Sequence, residues 1–273
     1  LLLWVVFIGA ALVGARGVAM HLDGARLWNA HIASGNYNPT TSCTYTDVGL
    51  FTAEEQIGAD ATELFNYLTG CSRQTDYQRL FVAPVTMRAQ INTLIDREIE
   101  NQKAGRPARI IGKFNRLADK QMIMKFYEAA QAGVKIDLIV RGICMLRPGV
   151  PGLSESITVR SVVGRFLEHS RIFYFENGGQ DEVYIGSADL MARNLKHRIE
   201  VLAPVRNREI RHYLKDVVLG AYLRDNVKAR LLQPDGSYRP IPATSTEEKF
   251  ESQAYFVGHP ADTSAIQEGN VVD

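Results

Sequence analysis

The chain has 273 residues, 46% of them apolar, and a formal charge of +1 at neutral pH. That is enough apolar material to bury the core of one large or two modest globular domains. The near-zero charge argues against a generally basic nucleic-acid binder, so any polyanion must be met by local clusters of Arg and Lys. Cys43, Cys71 and Cys144 are odd in number and in no metal-type spacing, and are read as reduced thiols in a cytoplasmic setting.

The chain begins at Leu1 rather than Met, which is read as a fragment or a processed product. Residues 1–15 are uncharged and apolar, and Arg16 interrupts them. At about 1.5 Å per residue this run falls short of a hydrocarbon core roughly 30 Å thick. No positive charge precedes it, against a signal peptide. A buried strand or hairpin, the product of a truncated reading frame, and a membrane segment remain open for it.

Residues 30–39 read as a strand ending in a polar turn, followed by Tyr45-Thr46-Asp47 and an apolar stretch over 48–51. The same order, an apolar strand, then Ser, a small residue and Asn or Asp, recurs over 184–189, suggesting a complete and a partial copy of one unit. Ile57, Ala61, Leu64 and Leu68 predict a helix over 54–69, capped by Gly70, and the polar stretch 70–76 is placed as a domain boundary. Beyond it come a strand over 80–83, an amphipathic helix over 87–102, a strand over 109–114, a helix ending near Ala130 before Gly133, and a strand over 134–142. The alternation is an α/β pattern with right-handed crossovers.

Lys113, Arg116 and Arg141 then fall near the carboxyl ends of strands, where open α/β sheets place ligands. Lys113 and Arg116 are read as solvated surface. Arg141 directly follows a run that reads as a buried strand and needs an anionic partner, so it is read as a phosphate ligand. The Gly- and Pro-containing segment 144–156 is read as a flap.

Residues 166–194 carry the densest chemistry. His169 can act as nucleophile or general base near neutral pH, and Arg171, two positions on, is expected on the same strand face, able to hold a phosphate between them. Gly186 and Ser187 offer close backbone approach and a hydroxyl donor. After a strand over 196–201 and a helix over 207–223, His197 and His212 are read as surface residues. A strand over 227–232 and the Pro234-Asp235-Gly236 turn close the ordered part, and residues from 244 onward read as a flexible tail.

With these residues in view, the chain resembles a known family. Gly35-Asn36-Tyr37-Asn38 with Tyr45-Thr46-Asp47, Ile139-Val140-Arg141-Gly142, residues 165–171, Phe175-Glu176-Asn177-Gly178-Gly179, and Ser187-Ala188-Asp189 with Met191 to Asn194 are similar to the carboxyl-terminal half of bacterial polyphosphate kinase. The resemblance runs from about residue 31 to 240. It implies an α/β fold with a phospholipase-D-like mixed sheet flanked by helices: one complete domain plus the end of a preceding similar one. The expected limits are an apolar segment of doubtful origin over 1–23, the end of the first domain over 24–72, the second domain over 73–240 and a flexible tail over 241–273.

The resemblance also implies reversible transfer of the terminal phosphate of ATP to inorganic polyphosphate through a phosphohistidine. Mg2+ would accompany ATP and ADP, and the full-length protein would be a homo-oligomer in the cytoplasm; peripheral membrane association is left open by the apolar start. Tyr45, Arg141 and His169 take nucleotide-binding positions, with His169 placed to assist proton transfer opposite the nucleophile. Arg171 and Ser187 join the ATP- and phosphate-binding set on their residue chemistry, with Asn36, Asp47, Glu176, Asp189 and Asn194 in support. No metal ligand is assigned.

The family's nucleophilic His, in a His-x-Lys pattern, should precede the Gly-Asn turn, yet residues 1–20 contain no His. His169 precedes Ser187 by eighteen positions, and the equivalent point before Ser34 is Arg16. The chain is therefore expected to be a carboxyl-terminal fragment, inactive alone. Two other readings compete: a phospholipase-D-like phosphodiesterase or nuclease, and a non-catalytic polyphosphate- or nucleotide-binding remnant.

Overall fold

A computed structural model describes residues 18–22, 28–35, 40, 45–71, 73, 76–241 and 248–259. The expectations for residues 1–17, Asn36 and Cys43 lie outside the described residues. Strands β1 (Val18–Leu22), β2 (Trp28–Ala33) and β4 (Gly49–Thr52) form an antiparallel sheet, and β3 (Tyr45–Thr46) leaves it to pair elsewhere. The helix Glu55–Leu68 follows, and Gly70 adopts the left-handed conformation (φ 77°) of a helix-terminating residue.

The larger sheet has nine strands. They are β5 (Phe81–Ala83), β6 (Arg109–Phe114), β7 (Lys135–Val140), β8 (Ile157–Val162), β10 (Ile172–Phe175), β11 (Glu182–Gly186), β12 (Glu200–Pro204), β13 (Ala229–Leu232) and β14 (Tyr238–Pro240), in spatial order β14-β13-β8-β7-β6-β10-β11-β12-β5. The β6, β7 and β8 ladders are parallel and the rest antiparallel. This is the mixed sheet flanked by helices that the resemblance implies.

Strand side chains alternate between two covered faces, which explains the apolar run of β7. Ile136, Leu138 and Val140 join Ile110, Phe114 and Phe173 under the helices Met87–Lys103 and Lys120–Gln131. Ile139, Ile111, Tyr174 and Ile185 face the other way, against Ala30, Ile32, Ile57 and Leu64 of the first unit. The two units thus share one apolar layer, and cutting fully buried Leu64 or Ile95 to Ala costs about 2–5 kcal/mol.

Several expectations are corrected. The segment between β7 and β8 is a packed crossover rather than a flap, because two parallel neighbours require the chain to return to the opposite end of the sheet. Tyr127 accepts from the Arg147 N–H (2.8 Å), and the Ser154 hydroxyl donates to the Arg147 carbonyl (2.7 Å). The strand expected over 196–201 begins only at Glu200, since Ala192–Lys196 is a helical turn. The helix expected over 207–223 spans Arg208–His212, a π segment Tyr213–Leu219, and Gly220–Arg224.

The flexible tail is corrected in part as well. Ser252–Gly258 is a helix, held because buried Asp225 accepts from both the N–H (2.8 Å) and hydroxyl (2.7 Å) of Ser252. Among the described residues no helix is long and apolar enough to cross a membrane.

Candidate active site

One end of the sheet gathers the polar residues. β6 and β7 run out into Asn115, Arg116 and Arg141, while antiparallel register brings the start of β10 and the end of β11 beside them, Ile172 pairing with both Lys113 and Ile185. β9 (Leu167–Glu168) pairs in parallel with β3, Tyr45 opposite Leu167 and Thr46 opposite Glu168. This short ladder crosses between the two units and fixes the loop that carries His169, whose N–H donates to the Thr46 carbonyl (3.1 Å).

The His169 ring is stacked on Tyr45, centroids 4.5 Å apart and planes 20° from parallel. Its Nδ1 faces the Asp47 carboxylate at 3.4 Å, and Asp47 in turn accepts from the Ser34 hydroxyl at 2.7 Å. A carboxylate at Nδ1 orients the imidazole and favours the proton there. A Cβ on Gly35 would lie 2.0 Å from an Asp47 oxygen, so the glycine is what lets this carboxylate approach. Tyr45 and Asp47 are thus brought to His169 by the first unit.

Arg171 also reaches His169, its Nη1 lying 3.2 Å from both ring nitrogens. Its donors are nevertheless already engaged. Nε and Nη2 lie 3.2 Å from the two Asp189 oxygens, and Nη1 donates to the carbonyls of Ser34 (2.8 Å) and His169 (2.9 Å). Both side chains of the Arg171–Asp189 pair are buried. Asp189 accepts from the Asn115 N–H as well (2.8 Å). Arg171 therefore braces the two units beneath His169 while lining the same cleft.

Lys113, expected at the surface, is buried beside Glu168, Nζ to carboxylate 2.9 Å. It also donates to the Ser170 hydroxyl (2.7 Å) and lies 4.5 Å from the centre of the Tyr222 ring. Glu168 accepts from Thr46 (3.1 Å), Tyr222 (2.6 Å) and Gln253 (2.7 Å). Burial pushes the Glu168 carboxyl up, but the Lys113 charge and these donors outweigh it and hold it below the ordinary carboxylate range. Gln253 also accepts from the Phe166 N–H (2.9 Å) and donates to its carbonyl (2.8 Å), so the last helix clamps the His169 loop. A lysine inside an apolar strand was the available signal, since a buried ammonium requires a partner.

The cleft beside these residues has a volume of about 170 Å³ and is lined by five guanidiniums, those of Arg116, Arg141, Arg171, Arg193 and Arg198, against the carboxylates of Asp189 and Glu200. Asp189 is engaged by Arg171. Glu200 accepts from the Ser187 hydroxyl (2.5 Å) and the Asn194 amide (2.6 Å), and burial raises its pKa against those hydrogen bonds. Ser187 and Asn194 thus line the cleft with donors turned to Glu200. Arg141 is half-buried and donates to the Glu168 carbonyl (2.9 Å). It and Arg116, Arg193 and Arg198 form no ion pair among the described residues, which leaves the cleft strongly cationic. Arg116 is half-buried in this wall rather than simply solvated.

Arg193, Arg198 and Glu200 escaped the sequence reading; an acid opening an apolar strand was the one signal for Glu200. Glu176 is not in the cleft. It follows β10 at the end away from His169, where buried Glu98 accepts from the Asn177 (2.8 Å) and Arg109 (3.2 Å) N–H groups and fixes the turn. Gly186 is required by strand packing, since a Cβ there would lie 1.9 Å from the Val201 carbonyl oxygen. Of the histidines whose side chains are described, only His169 lines the cleft; His31 is stacked on Phe51, and His197 and His212 are exposed, as expected.

No group of three or more His, Cys, Asp or Glu among the described residues is placed to hold a metal ion. Both cleft carboxylates are committed to protein donors, so the residues present do not fit a protein-held cation.

Residues 80–253 match the family described as "Polyphosphate kinase C-terminal domain 2" and residues 20–74 the one described as "Polyphosphate kinase C-terminal domain 1". A polyphosphate kinase of Synechocystis is 54% identical over 83% of this chain, and one of Thermosynechococcus vestitus is 57% identical over 77%. The chain spans about a third of their length, 31% and 28% respectively. The crystal structure of polyphosphate kinase from Porphyromonas gingivalis superposes on 91% of this chain and 39% of its own, with a TM-score of 0.82 and 38% identity.

Proposed function

The chain belongs to the polyphosphate kinase family, and from that premise we propose that its cationic cleft binds the phosphates of ATP and the end of an inorganic polyphosphate chain during reversible phosphoryl transfer. The observation that carries this is the convergence of Arg116, Arg141, Arg193 and Arg198, without ion-pair partners among the described residues, beside a histidine held by Tyr45 and Asp47. Guanidiniums aimed at a transferring phosphoryl group stabilise the charge spread over its oxygens. Mg2+ would enter as part of the MgATP substrate, neutralising phosphate charge, with no ligand supplied by the cleft carboxylates.

In this reading an imidazole supplied from outside the described cleft attacks the terminal phosphorus. The bond to ADP breaks as the phosphorus–nitrogen bond forms, and a terminal polyphosphate oxygen then attacks the phosphorus as the phosphorus–nitrogen bond breaks and the imidazole is released. His169 stands on the nucleotide side and exchanges a proton with a phosphate oxygen. Arg171, Lys113, Glu168 and Gln253 are positioning residues. Cytoplasmic ATP supplies the reaction, and the whole protein works as a homo-oligomer.

Calorimetric titration of the chain with MgATP is the direct test. Saturable binding weakened by Arg141→Ala and His169→Ala is expected, and binding indifferent to both would overturn the proposal. Hydrolysis of bis-p-nitrophenyl phosphate abolished by His169→Ala would instead establish a phosphodiesterase. Phosphohistidine formation is tested by joining an in-frame upstream His-x-Lys segment and following acid-labile label from ATP.

A further inference from the structure

A second, larger cleft, of about 620 Å³, opens at the opposite end of β11 and β12, between the turn after β10 and the helix that starts at Arg208. Its cationic wall is Arg79, Arg206, Arg208 and Arg211, with His212 beside them. The carboxylates in the same wall are already neutralised. Asp181 binds Lys215 (2.6 Å) and the Tyr174 hydroxyl (2.7 Å), and Glu182 is gripped through both oxygens by Arg97 (3.0 and 2.8 Å).

Among the described residues the four lining guanidiniums therefore meet one further carboxylate, Glu54, which lies 3.7 Å from Arg79 and 3.9 Å from Arg206. Arg208 and Arg211 have no ion pair among the described residues. Arg211 donates from Nη1 to the Arg206 carbonyl (3.3 Å), while its Nε is buried without a hydrogen-bond partner. A cleft wall with an excess of guanidiniums over carboxylates calls for an anionic ligand.

We propose that this cleft is a second anchoring site for polyphosphate, holding a stretch of chain remote from the reacting end. The inference rests on the polyphosphate reading of the first cleft. The two clefts lie at opposite ends of the same strands, roughly 20 Å apart along the six residue steps from Asp181 to Ser187 at about 3.4 Å each. A long chain can occupy both, and its second contact then forms at high effective concentration. ATP and tripolyphosphate engage the first cleft alone, so the second acts as a chain-length sensor.

The test measures affinity of the whole chain for MgATP, tripolyphosphate and long-chain inorganic polyphosphate, in wild type and in R208Q/R211Q. The double variant should bind long chains at least about tenfold more weakly, the effect of losing one or two charge-assisted hydrogen bonds, with ATP and tripolyphosphate unchanged. Exposed Arg208→Glu alone should act in the same direction, and matching thermal melts exclude a folding defect. Unchanged long-chain affinity in both variants would overturn the inference, as would wild-type affinity no higher for long chains than for tripolyphosphate. Competition by polyglutamate of equal charge as effective as polyphosphate would show an unspecific basic patch and overturn it too. A chain that binds long polyphosphate through Arg208 but not MgATP would refute the nucleotide reading and leave this cleft standing.

Discussion

Arg171 donates to the backbone carbonyl of Ser34 at 2.8 Å, across 137 positions of sequence. With Asp189 on its other side, this guanidinium ties the first unit to the second beneath His169. Its removal leaves the buried Asp189 charge without its ion-pair partner. Arg171→Ala should therefore lower stability by about 3–5 kcal/mol, seen as a shifted urea midpoint. A variant as stable as wild type, weakened only in ATP binding, would return Arg171 to the role of ligand.

Arg141 should behave in the opposite way. It is half-buried at the cleft wall, and it donates to a backbone carbonyl, that of Glu168. Arg141→Ala is expected to weaken MgATP binding about tenfold or more with little change in unfolding free energy, and Arg141→Lys to restore only part, because an ammonium lacks the planar fork. Titration calorimetry and a melt on the same samples decide it.

Asp47 acts through His169. Asp47→Asn keeps a polar side chain for Ser34 but removes the charge facing Nδ1, so the proton should shift between ring nitrogens, visible in nitrogen NMR of the His169 ring. Both groups are partly exposed, so stability should change by less than about 1 kcal/mol. An unaltered tautomer balance would sink the orienting role.

Glu168 sets an acid limit. Its folded-state pKa is depressed, so it contributes stability above its ordinary value near 4.5 and loses that contribution as pH falls through the lower folded value. Stability should decline on acidification below about 4.5, and Glu168→Gln should flatten that limb. At neutral pH, Lys113→Met, which strands the buried carboxylate, should cost about 3–5 kcal/mol. An acid limb identical in Glu168→Gln would show that another group controls it.

Gly186→Ala tests strand packing. The added Cβ meets the Val201 carbonyl oxygen at 1.9 Å, so β11 and β12 must separate. A cost of about 1–3 kcal/mol or more is expected by chemical denaturation. A neutral effect would free Gly186 to be read again as an approach for ligand.

Much of the frame was legible in the sequence. The strand over 109–114 and the helix starting at Met87 coincide with the observed elements, because apolar periodicity and terminating glycines act over a few residues. Arg141 was legible for the same reason: a cation directly after an apolar strand falls at a strand end. The Arg193–Arg198 wall was not, since arginines in a polar stretch carry no sign of what they face.

What the sequence by itself determined is the succession of most strands and helices and the family, since those follow from local pattern and residue type. Only the tertiary structure decided who partners whom. It drew Lys113 inward to Glu168, tied Arg171 to the Ser34 carbonyl of the first unit, set Glu176 at the far end of β10, and folded Gln253 back onto Phe166. Each of these depends on contacts between residues distant in the chain, where burial and charge compensation outweigh any preference a residue has alone.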